Sequence, residues 1–215
     1  MRRFEEDIQT LTEDTSAMGK MVTDMIERSV QAICEGDTDM ADTVITDFEK
    51  ANTYDNEIEE MAIRILTLYQ PTAMDTRTVA TVLKCITYLE RIAKYSRNIA
   101  IATKYLSDKP SYEPVELIRP MGEAAVRMVR LSTRCFEERT VEGLDKISEM
   151  DDYLDRTMRE DLRAIVGFIS ENGASADVCT YYISVLKFLE RVGDHACKMA
   201  EKITFMVTGQ RATIS

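Results

Sequence analysis

Apolar residues recur at intervals of three and four along most of the chain, which is the pattern of amphipathic α-helices. The most regular stripe consists of Val178, Tyr182, Val185, Leu189, Val192, Ala196, Met199 and Ile203. Because its steps alternate between four and three, it predicts one long helix with a single buried face. The whole pattern predicts six long helices, at about residues 4–35, 38–69, 72–106, 115–138, 141–171 and 175–207.

Short polar breaks separate these segments. Gly36 followed by Asp37-Thr38 provides a stop and a new cap, and Thr72 with Asp75 has the spacing of a capping box at the start of the third helix. The segment 107–114 is the best linker candidate, and Asn172-Gly173 ends the fifth helix. Glycine (8) and proline (4) are too scarce for an all-β protein with many turns, so we expect an all-α fold.

The two halves of the chain resemble each other. Leu89-Glu90-Arg91-Ile92 recurs 100 residues later as Leu189-Glu190-Arg191-Val192, and Met18-Gly19 recurs 103 residues later as Met121-Gly122. A longer break between the second and third helices of the first half accounts for the difference. These repeats predict two tandem, superimposable three-helix bundles, from 1–108 and from 112–208, with a tail at 209–215.

Charge and cysteine usage exclude several classes of protein. The chain has 215 residues, of which 27 are basic and 38 acidic, and the resulting net charge of −11 argues against a nucleic-acid binder. The first residues, MRRFEED, do not form a signal peptide, and no run of about 18 apolar residues exists to span a membrane. Five scattered cysteines without a CxxC pair predict reduced thiols in a cytoplasmic protein.

Pairs of carboxylates interrupt the apolar faces of the last two predicted helices. Glu190 and Asp194 lie one turn apart on the sixth helix, and Asp151 and Asp155 do the same on the fifth. Oxygen ligands on adjacent helices suit Mg²⁺, Ca²⁺, Mn²⁺ or iron and tolerate Zn²⁺, so one interpretation is a cation site. The other interpretation pairs these acids with basic residues on a solvated face, namely Arg191, Lys187 or Arg156.

Other chemistry has little support in the sequence. The only histidine is His195, so the paired Glu-x-x-His motifs of a di-iron bundle are excluded. The dispersed glycines form no phosphate-binding loop, and no nucleophile is placed beside a base. We therefore predict no catalytic residues.

Two motifs resemble those of the PhoU family of phosphate-transport regulators. The segments are Leu189-Glu190-Arg191-Val192-Gly193-Asp194-His195-Ala196-Cys197-Lys198-Met199-Ala200-Glu201 and Gln70-Pro71-Thr72-Ala73-Met74-Asp75-Thr76-Arg77. The resemblance implies two three-helix bundles with metal ions, often iron or zinc, bound by paired Glu/Asp-x-x-x-Asp motifs on the bundle surface. Carried over to this chain, the metal ligands of the second repeat are Asp151, Asp155, Glu190 and Asp194.

The first repeat departs from the family pattern. Glu90 is retained, but Lys94 stands where the motif has Asp and could supply a positive charge near Glu90. With the offset of 103, Phe48 and Asn52 fall opposite the aspartates of the fifth helix. We therefore expect the metal site of the first repeat to be lost. A less favoured offset of 100 would instead align Asp55 with Asp155.

The same resemblance implies a regulator and not an enzyme. It predicts a cytoplasmic homodimer that negatively regulates phosphate uptake and the phosphate-starvation response. Its partners would be the ATPase of a phosphate-specific ABC transporter and, as a further candidate, a sensor histidine kinase. It would reach the membrane only through these partners. Asp75, Arg77, Glu90, Arg91 and Arg191 are further candidate functional residues, with helix capping and a salt bridge as the alternative explanation for Asp75 and Arg77.

Two other classes of function stay open at this point. A metal-dependent hydrolase would use the carboxylates to activate water, but it needs an added general base and a substrate-positioning Arg or Lys. A purely structural helical bundle would carry the same acids without an ion.

Overall fold

The computed structural model describes residues 2–109, 115–171 and 176–214, and these ranges contain six α-helices and no β-strand. The helices are α1 (Arg2–Glu35), α2 (Thr38–Tyr69), α3 (Ala73–Leu106), α4 (Val115–Glu137), α5 (Asp145–Glu171) and α6 (Ala176–Thr208). The all-α fold class and the number of long helices are confirmed. The predicted linker at 107–114 and the Asn172-Gly173 break lie largely outside the described residues.

The helix boundaries show where local chemistry differs from the predicted caps. Asp37 caps α2, because its carboxylate accepts the Met40 N–H at 2.9 Å. The capping box predicted at Thr72 is wrong, because the Thr72 hydroxyl donates to the Asp75 carboxylate at 2.8 Å and does not accept a backbone N–H. The fifth helix begins at Asp145 and not near 141, because Gly143 has a φ of 87° that interrupts helical geometry.

The helices form two three-helix bundles that share a large interface. In the described part of the chain, α2 packs only on α1 and α3, and α5 packs only on α4 and α6. The bundles meet where α1 packs on α4 and where α3 packs on α6. Four helices therefore form the centre of the molecule, and α2 and α5 lie at its two sides. The domain boundaries at 108 and 112 stay a prediction.

Buried positions recur at the offsets that the sequence predicts. Between α3 and α6 the offset is 100, and between α1 and α4 it is 103. Buried pairs at these offsets include Val82 and Tyr182, Leu89 and Leu189, Ile92 and Val192, Met18 and Met121, and Met25 and Met128. The two repeats thus bury the same faces of equivalent helices.

Residues at equivalent positions of the two repeats also touch each other. Arg130 of α4 donates to Glu27 of α1 at 2.7 Å, and these residues are 103 apart. The rings of Tyr95 in α3 and His195 in α6, which are 100 apart, stack with centroids separated by 5.8 Å. When equivalent positions of two repeats contact each other, a twofold axis relates the repeats. An approximate twofold axis therefore passes through both the α1–α4 and the α3–α6 interfaces.

Two glycines allow the central helices α1 and α4 to cross closely. A Cβ atom at Gly19 would lie 2.7 Å from Cγ2 of Thr133, and one at Gly122 would lie 2.6 Å from Cγ2 of Val30. These two contacts are equivalents under the twofold axis. Since Val and Thr side chains are stiff at χ1, neither can move aside easily. The recurring Met-Gly pairs therefore mark this crossing point.

Gly122→Ala is expected to destabilise the protein by about 1–3 kcal/mol, because the added methyl group overlaps Val30. Urea unfolding followed by circular dichroism measures this change. Gly167→Ala is the matched control, because Gly167 lies inside α5 with no atom within 4 Å of its added Cβ. It should stabilise by roughly 0.5–1 kcal/mol through helix propensity. Equal effects of the two substitutions would contradict the close crossing.

Candidate functional site: a carboxylate face on the second repeat

Four carboxylates share one face of the second repeat, which we call the carboxylate face. Asp151 and Asp155 lie on α5, Glu190 and Asp194 lie on α6, and these helices pack together. All four residues are half-buried. Burial is the main cause that raises the pKa of Asp151, Glu190 and Asp194, and the negative charges of the neighbouring acids raise each pKa further. The structure therefore places the four predicted residues on one face, where their negative charges repel one another.

Two residues of the α6 motif position α5 against this face. Gly193 has no side chain, and a Cβ there would lie 2.6 Å from Cδ1 of Leu154 and 3.4 Å from Oδ1 of Asp151. Cys197 lies one turn further on and hydrogen-bonds with Asp151. Burial is the main cause that raises the pKa of the Cys197 thiol, and the charge of Asp151 and this hydrogen bond raise it further. The sequence analysis missed both roles. Their signal was the Gly-Asp-His-Ala-Cys order of the motif, which the first repeat lacks.

Arginines neutralise the carboxylate face only in part. Arg191 Nε lies 3.7 Å from Oε2 of Glu190, and its Nη1 lies 3.7 Å from Oδ2 of Asp194. Arg159 Nη1 lies 3.5 Å from Oδ2 of Asp155. These separations exceed ordinary hydrogen-bond lengths, and the Arg191 side chain is 61% exposed, so solvent screens the attraction.

The alternative pairing from the sequence is therefore correct for one of its three candidates. Arg191 pairs with acids of the carboxylate face. Arg156 instead lies over the Tyr153 ring at 6.0 Å, and Lys187 forms no ion pair among the residues that the structure describes. Asp151 has no arginine partner in the same described part of the chain.

The chemistry of the carboxylate face suits a hard cation. Burial and the neighbouring negative charges raise the pKa values of these carboxyl groups. A bound cation would therefore stabilise their ionised form. Within the described ranges, no three His, Cys, Asp or Glu side chains are gathered as ligands around one point. Asp151, Asp155, Glu190 and Asp194 thus have suitable donors on one face, and their role as metal ligands stays a prediction.

The corresponding face of the first repeat is built differently. Phe48 is buried, and the Arg97 guanidinium lies over its ring at 4.9 Å. At the offsets of 103 and 100, Phe48 replaces Asp151 and Arg97 replaces Cys197, so a cation–π contact takes the place of the carboxyl–thiol contact. The backbone carbonyl of Asn52 accepts a hydrogen bond from the side-chain amide of Asn56 at 2.9 Å within α2.

Glu90 has a neighbour that the favoured sequence register did not place there. Burial raises the pKa of Asp55, and the charges of Glu90 and Glu59 raise it further, so Asp55 lies near Glu90. The less favoured offset of 100 was the signal for this acid. Lys94 is exposed and makes no ion pair with Glu90 in the described residues, and its expected role as a positive charge near Glu90 stays a prediction.

His195 lies between rings from the first repeat and is not paired with an acid. Its ring stacks on Tyr88 and Tyr95 with centroid distances of 5.7 and 5.8 Å. Burial is the main cause that lowers its pKa to about 4, and the positive charges of Arg91 and Arg191 contribute. The imidazole is therefore neutral at pH 7. The two candidate arginines, Arg91 and Arg191, both act on His195 through their charges, and they occupy equivalent positions in the two repeats.

Asp75 and Arg77 lie away from the carboxylate face. Asp75 accepts the Thr72 hydroxyl, and Arg77 packs beside Gly209 just after α6, where a Cβ would lie 3.7 Å from Cζ of Arg77. Asp75 lies in the first turn of α3, and no ion pair joins it to Arg77 in the described part of the chain, so the structural and the functional explanations of these two residues both stay predictions. Since Gly209 follows Glu190 by 19 residues, the two regions are about 28 Å apart along α6.

Among the described residues, none of the helices combines the length and the apolar character that crossing a bilayer requires.

Comparisons with known proteins place this architecture. The PhoU domain family model matches residues 15–103 and 118–203, one match in each repeat. The "Phosphate-specific transport system accessory protein PhoU homolog" of Clostridium acetobutylicum is 27% identical over 213 residues, covering 99% of this chain and 97% of that protein. The PhoU homolog 1 of Thermotoga maritima is 29% identical over 208 residues, covering 96% and 90%.

Solved structures agree with the family match. The crystal structure of PhoU from Pseudomonas aeruginosa has a TM-score of 0.93 and 26% identity, and the alignment covers 96% of this chain and 100% of that one. PhoU from Streptococcus pneumoniae has the same fold, with a TM-score of 0.88 and 22% identity. The tandem three-helix fold predicted from the sequence is confirmed. With both repeats matched by the family model, this chain belongs to the PhoU domain family.

Proposed function

We propose that this protein is a regulatory accessory protein of phosphate transport. The observation that carries the proposal is the family match in both repeats, together with relatives that are named accessory proteins of a phosphate-specific transport system. We infer negative control of phosphate uptake and of the phosphate-starvation response, through binding and not through catalysis. The long exposed faces of α2 and α5, at the two sides of the molecule, support contact with other proteins.

The partners follow from the same reasoning. We infer that a cytoplasmic homodimer contacts the ATPase of a phosphate-specific ABC transporter, and that a sensor histidine kinase is a second partner. The net charge of −11 supports protein contacts over direct binding to anionic lipid or DNA. Membrane attachment would therefore be indirect.

A metal ion is the proposed stabiliser of the second repeat. Asp151, Asp155, Glu190 and Asp194 would hold an iron, zinc, magnesium or manganese ion, whose positive charge would neutralise the carboxylate face. The raised pKa values of three of these acids support this role, because burial and the neighbouring negative charges both disfavour the ionised carboxylates, and a bound cation would offset both. In the first repeat, Phe48 and Lys94 stand at the positions of Asp151 and Asp194. The approach of Asp55 to Glu90 does not restore the four-carboxylate set, so the proposal assigns metal to the second repeat alone.

Regulation in cells is the direct test of the proposed function. Deletion of the gene should switch on a phosphate-starvation reporter in phosphate-rich medium, and the wild-type gene should restore repression. The Asp75→Ala, Arg77→Ala variant should restore it poorly while its free energy of unfolding stays within about 1 kcal/mol of wild type. Lys146→Gln is the control variant. An unchanged reporter after deletion would contradict the proposal.

Chelation tests the metal. With a divalent ion at 100 times its Kd, binding adds about 2.7 kcal/mol to the free energy of unfolding, so EDTA should lower the Tm of wild type measurably. The Asp151→Asn, Glu190→Gln variant should show no further loss on chelation. Elemental analysis of the purified proteins gives the metal content. A wild-type Tm that is unchanged by EDTA, or an ion ligated by Glu90, would contradict the assignment.

Burial of Glu190, together with repulsion by its neighbouring acids, makes the stability of the metal-free protein depend on pH. The raised pKa of Glu190 means that the folded state binds its proton more tightly than the unfolded state does. The free energy of unfolding therefore decreases as pH rises above 4.5, the ordinary pKa of glutamate. At pH 7 in EDTA, Glu190→Gln should raise Tm by about 2 °C, roughly 0.5 kcal/mol, and the gain should vanish toward pH 4.

Glu149→Gln is the matched control for this measurement, because Glu149 is exposed on α5. It should leave Tm unchanged at both pH values. A Glu190→Gln variant that is less stable than wild type at pH 7 in EDTA would show that the ionised Glu190 carboxylate does not destabilise the metal-free protein.

A further inference from the structure

A cavity of about 370 Å³ lies between α3, α6 and the segment 209–214 that follows α6. Thr81 and Lys84 line it from α3, Lys202 and Phe205 line it from α6, and Arg211 lines it from the following segment. The volume of the cavity lies in the range of small-molecule binding sites.

The twofold relationship between the repeats supplies an internal comparison for this cavity. At the offset of 100, the equivalents of Thr81 and Phe205 are Tyr181 and Tyr105. At that other end of the α3–α6 interface, the two tyrosine rings stack with centroids 3.9 Å apart and fill the space. Thr81 has no aromatic ring to stack on Phe205, so the same arrangement of the two helices leaves an opening at this end.

Charge distinguishes the two ends as well. Lys84 and Lys202 correspond to Ser184 and Ala102, so both lysines are particular to the cavity. Lys84, Lys202 and Arg211 form no ion pair in the described parts of the chain. Three uncompensated cations thus gather at one concavity of a protein whose net charge is −11. Such a concentration of one sign attracts anions.

The acid that lines the cavity is already engaged. The Glu201 carboxylate accepts from Nζ of Lys198 at 2.9 Å and from the backbone N–H of Ile214 at 3.2 Å. Glu201 is buried, and Ile214 packs against the core. Gly209, with a φ of 74°, turns the chain at the end of α6. These contacts hold the segment in place, so that Arg211 faces the lysines across the cavity.

The walls between the cations are largely apolar. Ala80 and Phe205 contribute from the helices, and Ala212 contributes from the segment. A ligand for this cavity therefore needs an anionic group for the cations and an apolar or flat body for the Phe205 wall. Ammonium and guanidinium groups together suit the several oxygens of a phosphate group.

We propose that this cavity binds an organic phosphate monoester of about the size of a nucleoside monophosphate. Lys84, Lys202 and Arg211 bind the phosphate group, and the Phe205 wall contacts the organic body. Neither the metal nor the proposed partners are involved in this binding.

Calorimetric titration of the purified full chain with AMP tests the proposal. Wild type should bind AMP, and Lys84→Gln, Lys202→Gln should weaken binding at least about tenfold, or 1.4 kcal/mol. The Lys146→Gln, Lys187→Gln variant removes two exposed charges elsewhere and should bind as wild type does. No AMP binding by wild type, or equal losses in both variants, would overturn the proposal.

Further probes separate the phosphate group, the organic body and a lipid source. Adenosine should bind at least tenfold more weakly than AMP because it lacks the anion, and inorganic phosphate should bind more weakly because it lacks the body. Adenosine binding equal to AMP binding would overturn the assignment to the cations. Stronger binding to phosphatidylglycerol vesicles than to AMP, lost in the lysine variant, would overturn a soluble ligand.

A folding control keeps the result interpretable. Arg211→Gln alters a side chain outside all six helices and should also weaken AMP binding while leaving the circular dichroism spectrum unchanged. Unchanged AMP binding by this variant would overturn the role of the segment 209–214. Because these titrations use purified protein, their failure is distinct from a failure of the reporter test in cells.

Discussion

The close crossing of α1 and α4 is the constraint on which the arrangement of the two repeats depends. Gly19 and Gly122 bring the helix backbones together, each against a stiff side chain of the other repeat. Because the two contacts are equivalent, they impose a twofold relationship, which the ring stack between α3 and α6 repeats on the other side of the molecule. The four central helices are then buried on most sides. The helices α2 and α5 are left at the periphery, where polar and charged residues can face solvent.

This relationship makes each repeat a control for the other. The buried apolar positions agree between them, while the residues at the candidate sites do not. Asp151 and Cys197 meet in one repeat, and Phe48 and Arg97 meet at the same place in the other. Likewise, a pair of stacked tyrosines fills one end of the α3–α6 interface, and a cavity lined by basic residues occupies the other end. Duplication preserved the core, and the two copies differ in surface chemistry.

Much of the fold could be predicted because helical periodicity and repeat offsets are local or one-dimensional signals. The six helices, the offsets of 100 and 103, and the shared face of Asp151, Asp155, Glu190 and Asp194 follow from spacing alone. The twofold axis does not, because a sequence repeat is the same for rotated and for translated copies. Identifying it requires knowing that Glu27 touches Arg130 and that Tyr95 touches His195.

Details that depend on proton direction or on contacts between distant residues were also beyond the sequence. The Thr72 hydroxyl caps α3 only if it accepts a backbone N–H, whereas in the structure it donates to Asp75. The spacing of Thr72 and Asp75 in the sequence is the same in both cases. The approach of Asp55 to Glu90 had a signal in the offset of 100, but the choice between the two offsets depends on the relative rotation of α2 and α3. The cavity needs three separate segments to meet, and one of them is an irregular chain after α6. Hydrophobic periodicity within one helix carries no information on contacts between segments that are distant in the sequence.

A double-mutant cycle on Tyr95 and His195 tests the twofold relationship most directly, because these two rings pair with each other across the axis. The variants Tyr95→Leu, His195→Leu and their combination would be unfolded in urea at pH 7, where His195 is neutral. Direct stacking predicts a coupling energy of about 0.5–1.5 kcal/mol between the two positions. Additive effects, with a coupling below about 0.3 kcal/mol, would contradict the interface on which the account depends.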